Sequence, residues 1–290
     1  MAATVHQAVL LQEVISGLNP KPGEVALDAT LGGGGHARAI AEKLGPNGLL
    51  IGLDQDSAAL ARAREALKDC PGRVELMQGN FRDLDKLLAT IEVTEIDLTL
   101  FDLGLSSDQL EQSGRGFSFQ QDEPLLMTFA DNPAPDTLTA QEIVNTWEED
   151  NLADIIYGYG AETFSRRIAR AIAFARVESQ ITRTGQLVEI IRQAVPAWYT
   201  HRRLHFATKT FQALRLATND ELGALKDGLN LAWQLLRPGG RLAVITFHSL
   251  EARLVKRWSP EKVKVTKPTR EEILKNPRAR SAQLRIIKKS

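Results

Sequence analysis

The stretch Val25-Ala-Leu-Asp-Ala-Thr-Leu-Gly-Gly-Gly-Gly-His36 decides the fold class of this 290-residue chain. Its first part, residues 25–29, is a short apolar run that predicts a buried strand, and its glycines predict a tight turn before a helix over residues 36–44. Glycine suits such a turn because the backbone must bend sharply and approach a ligand with no side chain in the way. The stretch therefore predicts a strand–loop–helix unit with a ligand at the loop.

The same alternation of strands and helices continues on both sides of a central interruption. Apolar runs that predict further strands lie at residues 49–53, 74–78, 96–101, 241–247, 263–266 and 284–287. Two more helices are predicted, one over residues 57–68 with Ser57 as its N-cap, and one over 220–236 that ends at Pro238-Gly239-Gly240. Strands and helices at this spacing indicate an α/β fold with a parallel sheet.

The alternation stops between residues 108 and 208. Residues 110–136 are rich in Ser, Gly, Asp and Pro and predict a loop, and residues 139–193 carry apolar side chains at helical spacing. The simplest architecture is one α/β domain formed by residues 1–107 and 209–290. A helical insertion over residues 108–208 interrupts it.

The charges of the chain balance overall but are unevenly distributed. Residues 1–159 carry 10 Lys and Arg against 26 Asp and Glu, whereas residues 160–218 carry 10 against 3 and residues 251–290 carry 13 against 4. If the two basic segments meet on one face, they form a site for a polyanion such as RNA. A solvated basic surface is the alternative.

Several bulk features indicate a cytoplasmic protein with no membrane segment. No apolar run is long enough to span a bilayer, and the polar start of the chain does not resemble a signal peptide. The single cysteine, Cys70, precedes a Pro-Gly turn, so we expect an inert thiol rather than a nucleophile. His201 and His205 share a helical face but lack the Glu or Cys of a zinc motif, so no metal site is predicted.

Four signals in the first half of the chain favour a nucleoside cofactor. Besides the glycine-rich loop around Gly34, a carboxylate, Asp54, ends the second strand, where it can accept hydrogen bonds from both ribose hydroxyls. Phe81 follows the third strand and can stack on adenine, and Asp102 ends the fourth strand at the ligand-binding edge of the sheet. Asp54 can instead cap the next helix, and Phe81 can belong to the core.

Longer motifs accompany these signals along nearly the whole chain, from His6 onward. They are Gly52-Leu-Asp-Gln-Asp56, Asp102-Leu-Gly-Leu-Ser-Ser-Asp-Gln-Leu110, Arg115-Gly-Phe-Ser-Phe119, Thr210-Phe-Gln-Ala-Leu-Arg215, Phe247-His-Ser-Leu-Glu251 and Asn276-Pro-Arg-Ala-Arg-Ser-Ala282. With the stretch that opens at Asp28, they resemble the bacterial ribosomal RNA small-subunit methyltransferase H family. Leu126 and Thr128 stand where that family usually has Asp and Arg.

The resemblance implies a Rossmann-like S-adenosylmethionine methyltransferase sheet with an inserted all-helical domain that recognises the substrate. It implies methyl transfer to the exocyclic amine of one cytidine in the decoding region of 16S ribosomal RNA, within the small ribosomal subunit. The choice between naked RNA and the assembled subunit, and a homodimeric state, are left open. The cofactor contacts implied by the resemblance fall on Gly34, Gly35, His36, Asp54, Phe81, Asp102 and Gln109.

The chemistry of a cytosine amine favours Asp102 as a catalytic residue. Its carboxylate can accept the amine N–H as the nitrogen pyramidalises, although Asp102 can instead contact only the cofactor. Four further polar residues at loop ends have either a catalytic or a capping role: Ser106, Ser107, His248 and Glu251. Phe117 and Phe119 either stack on an unpaired target base or pack in the core.

Two other functions share part of these features. A small-molecule methyltransferase would have the cofactor residues but would not account for the basic segments. An RNA-binding protein without catalysis would have the basic segments but no need for Gly34, Asp54 and Asp102 together.

We expect one phosphate-binding surface formed by Arg166, Arg167, Arg170, Arg278, Arg280 and Arg285.

Overall fold

A computed structural model describes residues 8–290; His6, where the family resemblance begins, lies outside them. The described residues form seven strands, which are β1 (Val25–Asp28), β2 (Leu49–Asp54), β3 (Arg73–Gln78), β4 (Ile96–Asp102), β5 (Leu236–Thr246), β6 (Val265–Thr266) and β7 (Gln283–Lys288). Each of the seven predicted strands is present, with ends that differ by a few residues.

Helices connect these strands and fill the interruption between β4 and β5. Those before β4 are α1 (Leu11–Leu18), α2 (Gly35–Leu44), α3 (Ser57–Leu67) and α4 (Leu84–Ala89). Those after it are α5 (Ser107–Glu111), α6 (Ala140–Thr146), α7 (Glu149–Gly160), α8 (Ser165–Glu178), α9 (Thr184–Ala194), α10 (Ala197–Thr200), α11 (Thr208–Thr218), α12 (Glu221–Leu235), α13 (Ser249–Trp258) and α14 (Arg270–Lys275). Two short 3₁₀ turns span Phe81–Asp83 and Pro277–Ser281.

The strands form one sheet in the order β3-β2-β1-β4-β5-β7-β6. Strands β1 to β5 pair in parallel, whereas β7 runs antiparallel to both β5 and β6. Asp28 at the end of β1 lies opposite Gly52 of β2 and Leu100 of β4, so both neighbouring strands run two residues beyond the end of β1. This arrangement confirms the Rossmann-like α/β fold class.

Helices cover both faces of the sheet. Adjacent residues of one strand, such as Leu50 and Ile51, belong to opposite core clusters because side chains alternate along a strand. Helices α1, α2 and α3 pack on one face, while α4, α12 and α13 pack on the other through Leu84, Leu229 and Val255. Burial on both faces explains why the strands appear in the sequence as continuous apolar runs.

Two local predictions are wrong. Pro238-Gly239-Gly240 does not end α12; it lies inside β5, where the pairing register with β4 shifts between Ile96 and Leu98. The N-cap of α3 is Asp56 rather than Ser57, since the Asp56 side chain accepts the N–H of Ala58 at 3.0 Å. An Asp and a Ser in adjacent positions are both good N-caps, so composition alone could not separate them.

The described chain divides into two compact units. The sheet unit comprises the described residues up to Gly104 together with Leu222–Ser290, and the helical unit is Leu105–Glu221. The sequence places the second boundary earlier, at residue 208. Helix α11 belongs to the helical unit because Phe211 and Leu214 are buried in its core cluster. Within residues 8–290, every helix is too short or too polar to span a bilayer.

Candidate cofactor site and active site

The carboxyl ends of β1 to β4 bring four chain segments to one edge of the sheet unit. Strand β1 leads into the glycine-rich loop, β2 ends at Asp54, β3 is followed by Phe81, and β4 ends at Asp102. The direction of strand order reverses between β1 and β4, and open α/β sheets bind ligands at such a reversal. The candidate site lies at this edge.

The glycine-rich loop needs glycine at position 34 because of its backbone conformation. Gly34 has φ 81°, a left-handed conformation that other residues rarely adopt, and a Cβ atom there would lie 3.4 Å from the Cα of Ala63 on α3. At Gly33 an added Cβ would meet nothing within 4 Å. The loop is therefore closely packed against α3 at Gly34 and open to a ligand at Gly33.

The carboxylate of Asp54 joins the loop after β1 to the loop after β2. Oδ2 accepts the N–H of Gly32 and Oδ1 accepts the N–H of Asp56, each at 2.9 Å. Burial raises the pKa of Asp54, and these hydrogen bonds partly offset the rise. Asp54 does not cap α3. Each oxygen keeps a second lone pair, so the carboxylate can still accept ribose hydroxyls.

Phe81 packs against the core of the sheet unit and remains partly exposed. Its ring meets that of Phe101 edge-on at 5.5 Å, and it packs so closely on α12 that a Cβ atom at Gly228 would lie 2.6 Å from it. The residue is nevertheless only partly buried. The two interpretations of Phe81 are therefore compatible, since core packing holds a ring whose remaining surface is accessible.

His36, Asp28 and Asp102 form a polar cluster in which His36 and Asp28 are buried and Asp102 is partly exposed. His36 Nε2 lies 2.9 Å from the carbonyl oxygen of Val9, and Nδ1 lies 3.4 Å from Asp102 Oδ2. A carbonyl can only accept, so Nε2 carries a hydrogen. Burial lowers the pKa of His36, but the Asp102 and Asp28 carboxylates outweigh it and raise the pKa above its ordinary value. Burial raises the pKa of Asp28 to about 7.

A threonine that the sequence did not single out links this cluster. The backbone N–H of Asp102 donates to Thr30 Oγ1 at 2.6 Å, and the N–H of Thr30 donates to Asp28 Oδ1 at 3.1 Å. Asp102 Oδ1 is buried and has no hydrogen-bond partner among residues 8–290. A buried carboxylate oxygen without a partner is costly, so this atom fits a donor or a cation supplied by a ligand.

Gln109 and Ser106 belong to the helical unit and cap α5. Ser106 Oγ accepts the N–H of Gln109 at 3.1 Å, and Gln109 Oε1 accepts the N–H of Ser106 at 3.0 Å. The side chain of Gln109 thus has a structural partner in its own helix. The same reciprocal pattern occurs in the sheet unit, where His248 and Glu251 cap α13. Capping accounts for the polar character of Ser106, Gln109, His248 and Glu251, whereas the side chain of Ser107 lies outside the described part of the structure.

The two phenylalanines of the loop before α6 pack within the helical unit. Phe117 is buried and its ring stacks on Phe129 at 5.7 Å, so it is a core residue. Phe119 is partly buried and stacks on His205 at 4.4 Å.

Burial raises the pKa of the Cys70 thiol in the sheet unit, opposite to the change expected for a nucleophile.

Five of the six arginines predicted to bind phosphate are exposed, and one is not. Arg285 lies on β7 with only 5% of its surface exposed, so its inclusion in a phosphate surface is wrong. Leu284 beside it points to the other face of the sheet and is buried as well, so packing on both faces accounts for the burial of Arg285. Arg278 and Arg280 lie in the sheet unit, whereas Arg166, Arg167 and Arg170 lie in the helical unit. A surface shared by the two groups stays a prediction.

Comparison with known proteins identifies the family. A family model described as the MraW methylase family matches residues 3–267. The chain belongs to this methylase family. The resemblance that the sequence motifs suggest is thereby confirmed, and the Gly-loop, Asp54 and Asp102 segments all fall inside the matched range.

Relatives of this methylase extend over nearly its whole length. Ribosomal RNA small subunit methyltransferase H of Deinococcus radiodurans is 47% identical over 288 residues, covering 97% of this chain and 88% of its own. The protein of the same name from Syntrophotalea carbinolica is 43% identical over 309 residues, covering 98% of each chain. A solved rRNA methylase of Streptococcus thermophilus has a TM-score of 0.44 and 11% identity, covering 97% of this chain and 92% of its own.

Proposed function

We propose that this methylase transfers a methyl group from S-adenosylmethionine to the exocyclic amine of one cytidine in the decoding region of 16S ribosomal RNA. The observation that carries the proposal is Asp102, whose carboxylate ends β4 with one buried oxygen that lacks a partner within residues 8–290. Such an oxygen can accept a hydrogen bond from an amine N–H. The names of the relatives support ribosomal RNA as the substrate class.

The residues at the sheet edge fit S-adenosylmethionine. When bound, this cofactor supplies an electrophilic methyl group on a positively charged sulfonium. Three carboxylates, Asp28, Asp54 and Asp102, lie at this edge, and burial raises the pKa of the first two. A cation nearby favours their charged forms. Asp54 would hold the ribose, and the accessible side of Phe81 would lie against the adenine.

The remaining cofactor contacts would act through backbone or through packing. Gly34 and Gly35 would present backbone at the start of α2, where the chain approaches α3 and Ala8. Both ring nitrogens of His36 already have partners, so we assign it the task of holding Asp102. Gln109 would contribute from the helical unit, which we assign to substrate recognition in a cytoplasmic protein.

The proposed chemistry asks little of a base. The lone pair of the cytosine amine is conjugated with the ring, so Asp102 would accept the N–H as the nitrogen loses that conjugation. Thr30 would hold Asp102 by its backbone. Holding the two reactants together at the site is the positioning that corresponds to ~7–11 kcal/mol of barrier reduction. After transfer the amine proton is acidic, and water can remove it. The target base must be unpaired to reach the site.

A methylation assay on small-subunit particles and naked 16S RNA tests the proposal. Purified methylase with radiolabelled S-adenosylmethionine should label one cytidine at N4, located by mass spectrometry of nuclease fragments. Label on a small molecule without RNA would favour a small-molecule methyltransferase. RNA binding without any cofactor binding would favour a non-catalytic RNA-binding protein.

A further inference from the structure

The helical unit carries a groove with the character of a ligand site, in addition to the candidate cofactor site of the sheet unit. Helix α7 and the start of α8 enclose about 320 Å³, and six of the lining residues are Asp154, Tyr157, Thr163, Phe164, Arg166 and Arg167. Tyr157 is 65% exposed, and Trp198 on α10, whose ring contacts Phe164, is 61% exposed. Exposed aromatic side chains that lie together beside a groove form the kind of patch that marks an interaction site.

Contacts with buried side chains hold the aromatic rings beside the groove in place. Trp198 meets Phe164 at 6.0 Å and Tyr199 at 5.6 Å, both edge-on, so no described ring stacks face to face on the indole. Tyr199 is buried, and its hydroxyl donates to the buried Glu162 carboxylate at 2.6 Å. This hydrogen bond fixes Tyr199, which in turn supports Trp198. The indole is thus positioned while 61% of the residue remains exposed.

The arginines around these rings lack carboxylate partners. The guanidinium of Arg167 lies 5.7 Å from the centre of the Phe164 ring, and that of Arg202 lies 5.2 Å from the centre of Tyr199. Among residues 8–290, neither they nor Arg166 has a carboxylate within ion-pair distance, whereas Arg192 on α9 pairs with Glu189. Aromatic contacts orient a guanidinium without neutralising it. Their charge is therefore available to an anion.

We propose that this aromatic–arginine groove binds an unpaired stretch of ribosomal RNA, with one base stacked on Trp198 and adjoining phosphates on Arg166 and Arg167. The inference rests on the proposed function, which supplies RNA as the substrate. Residues 160–218 carry 10 Lys and Arg against 3 Asp and Glu, a charge that complements a phosphate backbone. An open ring beside unpaired guanidinium groups suits single strands, because a duplex hides its base faces.

Titration of the full-length protein with a fluorescein-labelled single-stranded oligoribonucleotide tests the groove. Arg167→Ala should lower affinity and reduce the slope of log affinity against log salt by about 0.7, the value for one phosphate on a single strand. The matched control, Arg192→Ala, removes the same charge from the same unit and should leave both unchanged. Trp198→Ala should weaken binding by about tenfold with an unchanged salt slope, and Trp198→Phe should restore most of it.

The outcomes separate the groove from the proposed function. Calorimetry with S-adenosylmethionine and circular dichroism should show that each variant is folded and binds the cofactor like the wild type. If Arg167→Ala and Trp198→Ala bind the oligonucleotide like the wild type, the groove assignment is wrong even where ribosomal RNA is still methylated. Equal affinity for a duplex of the same sequence, or displacement by polyglutamate at matched charge, would overturn base stacking. A wild-type enzyme that methylates no RNA would refute the proposed function instead.

Discussion

The backbone N–H of Asp102 donates to the hydroxyl of Thr30 at 2.6 Å, so a residue of the glycine-rich loop sets the end of β4. Thr30 is itself held by Asp28, which accepts its N–H at 3.1 Å. These two hydrogen bonds join the loop after β1 to the end of β4. The position of the Asp102 carboxylate depends on this connection.

Replacing Thr30 with valine tests that dependence. Thr30→Val keeps the shape but removes the acceptor of the Asp102 N–H, which should cost ~1–3 kcal/mol of stability. The methylation rate at saturating cofactor should fall, because the carboxylate loses its backbone support. Thr30→Ser keeps the hydroxyl and is the control that should retain the rate. Urea unfolding and single-turnover methylation measure the two effects, and equal rates for Val and Ser would show that Thr30 does not position Asp102.

Asp54 should be a cofactor residue whose loss is expressed in affinity. Asp54→Ala removes a charged acceptor worth ~1.5–3 kcal/mol per hydrogen bond, so S-adenosylmethionine should bind about ten- to 150-fold more weakly for each bond lost. Asp56→Ala, which removes the N-cap of α3, controls for general loosening of the same loop. Isothermal calorimetry measures both. Unchanged affinity in Asp54→Ala would mean that Asp54 only joins the loops after β1 and β2.

Asp102→Asn separates catalysis from cofactor binding. The amide keeps the size and one acceptor oxygen but loses the negative charge that stabilises a developing positive charge on the amine nitrogen. The single-turnover rate should fall by about 10²–10³, the scale for removing one preorganised electrostatic group. Affinity for S-adenosylmethionine should fall much less. A variant with normal saturated rate and weak cofactor binding would make Asp102 a binding residue only.

Asp28 should make folding stability depend on pH. Its pKa is about 7 in the folded protein against 3.8 ordinarily, so the folded state keeps a proton that the unfolded chain has released. Stability from this group is full at acid pH and is lost as pH rises to about 7. Asp28→Asn mimics the protonated form and still accepts from Thr30. Its stability relative to wild type should therefore increase between about pH 4 and 7 and then level off.

Urea unfolding of Asp28→Asn and wild type at about pH 5, 6, 7 and 8 measures this difference. Comparing the two proteins at each pH removes the titration of groups that they share. Asp97→Asn is a suitable control because Asp97 is a partly exposed carboxylate on the opposite end of β4. A difference between Asp28→Asn and wild type that stays constant over this range would mean that Asp28 titrates at its ordinary value.

Much of the sheet and of its ligand edge could be predicted from the sequence. A parallel strand buried on both faces is a local apolar run, and the residue that follows it necessarily lies at the carboxyl edge. Asp54, Phe81 and Asp102 are therefore placed by chain position alone. The motifs around them are long enough to indicate the family. The end of the helical unit was less predictable, because the helical periodicity of α11 does not show which of the two cores the helix joins.

Side-chain partners are what only the tertiary structure decided. Whether Asp54 caps a helix or ties two loops depends on where Gly32 lies after folding, and the link from Asp102 to Thr30 spans 72 residues. Arg285 and Arg167 look alike in sequence, yet packing buries the first and leaves the second over an aromatic ring. Hydrogen bonds and burial depend on contacts between distant segments. Local pattern carries the strands and their ends, whereas the charge state and direction of each side chain come from the packed fold.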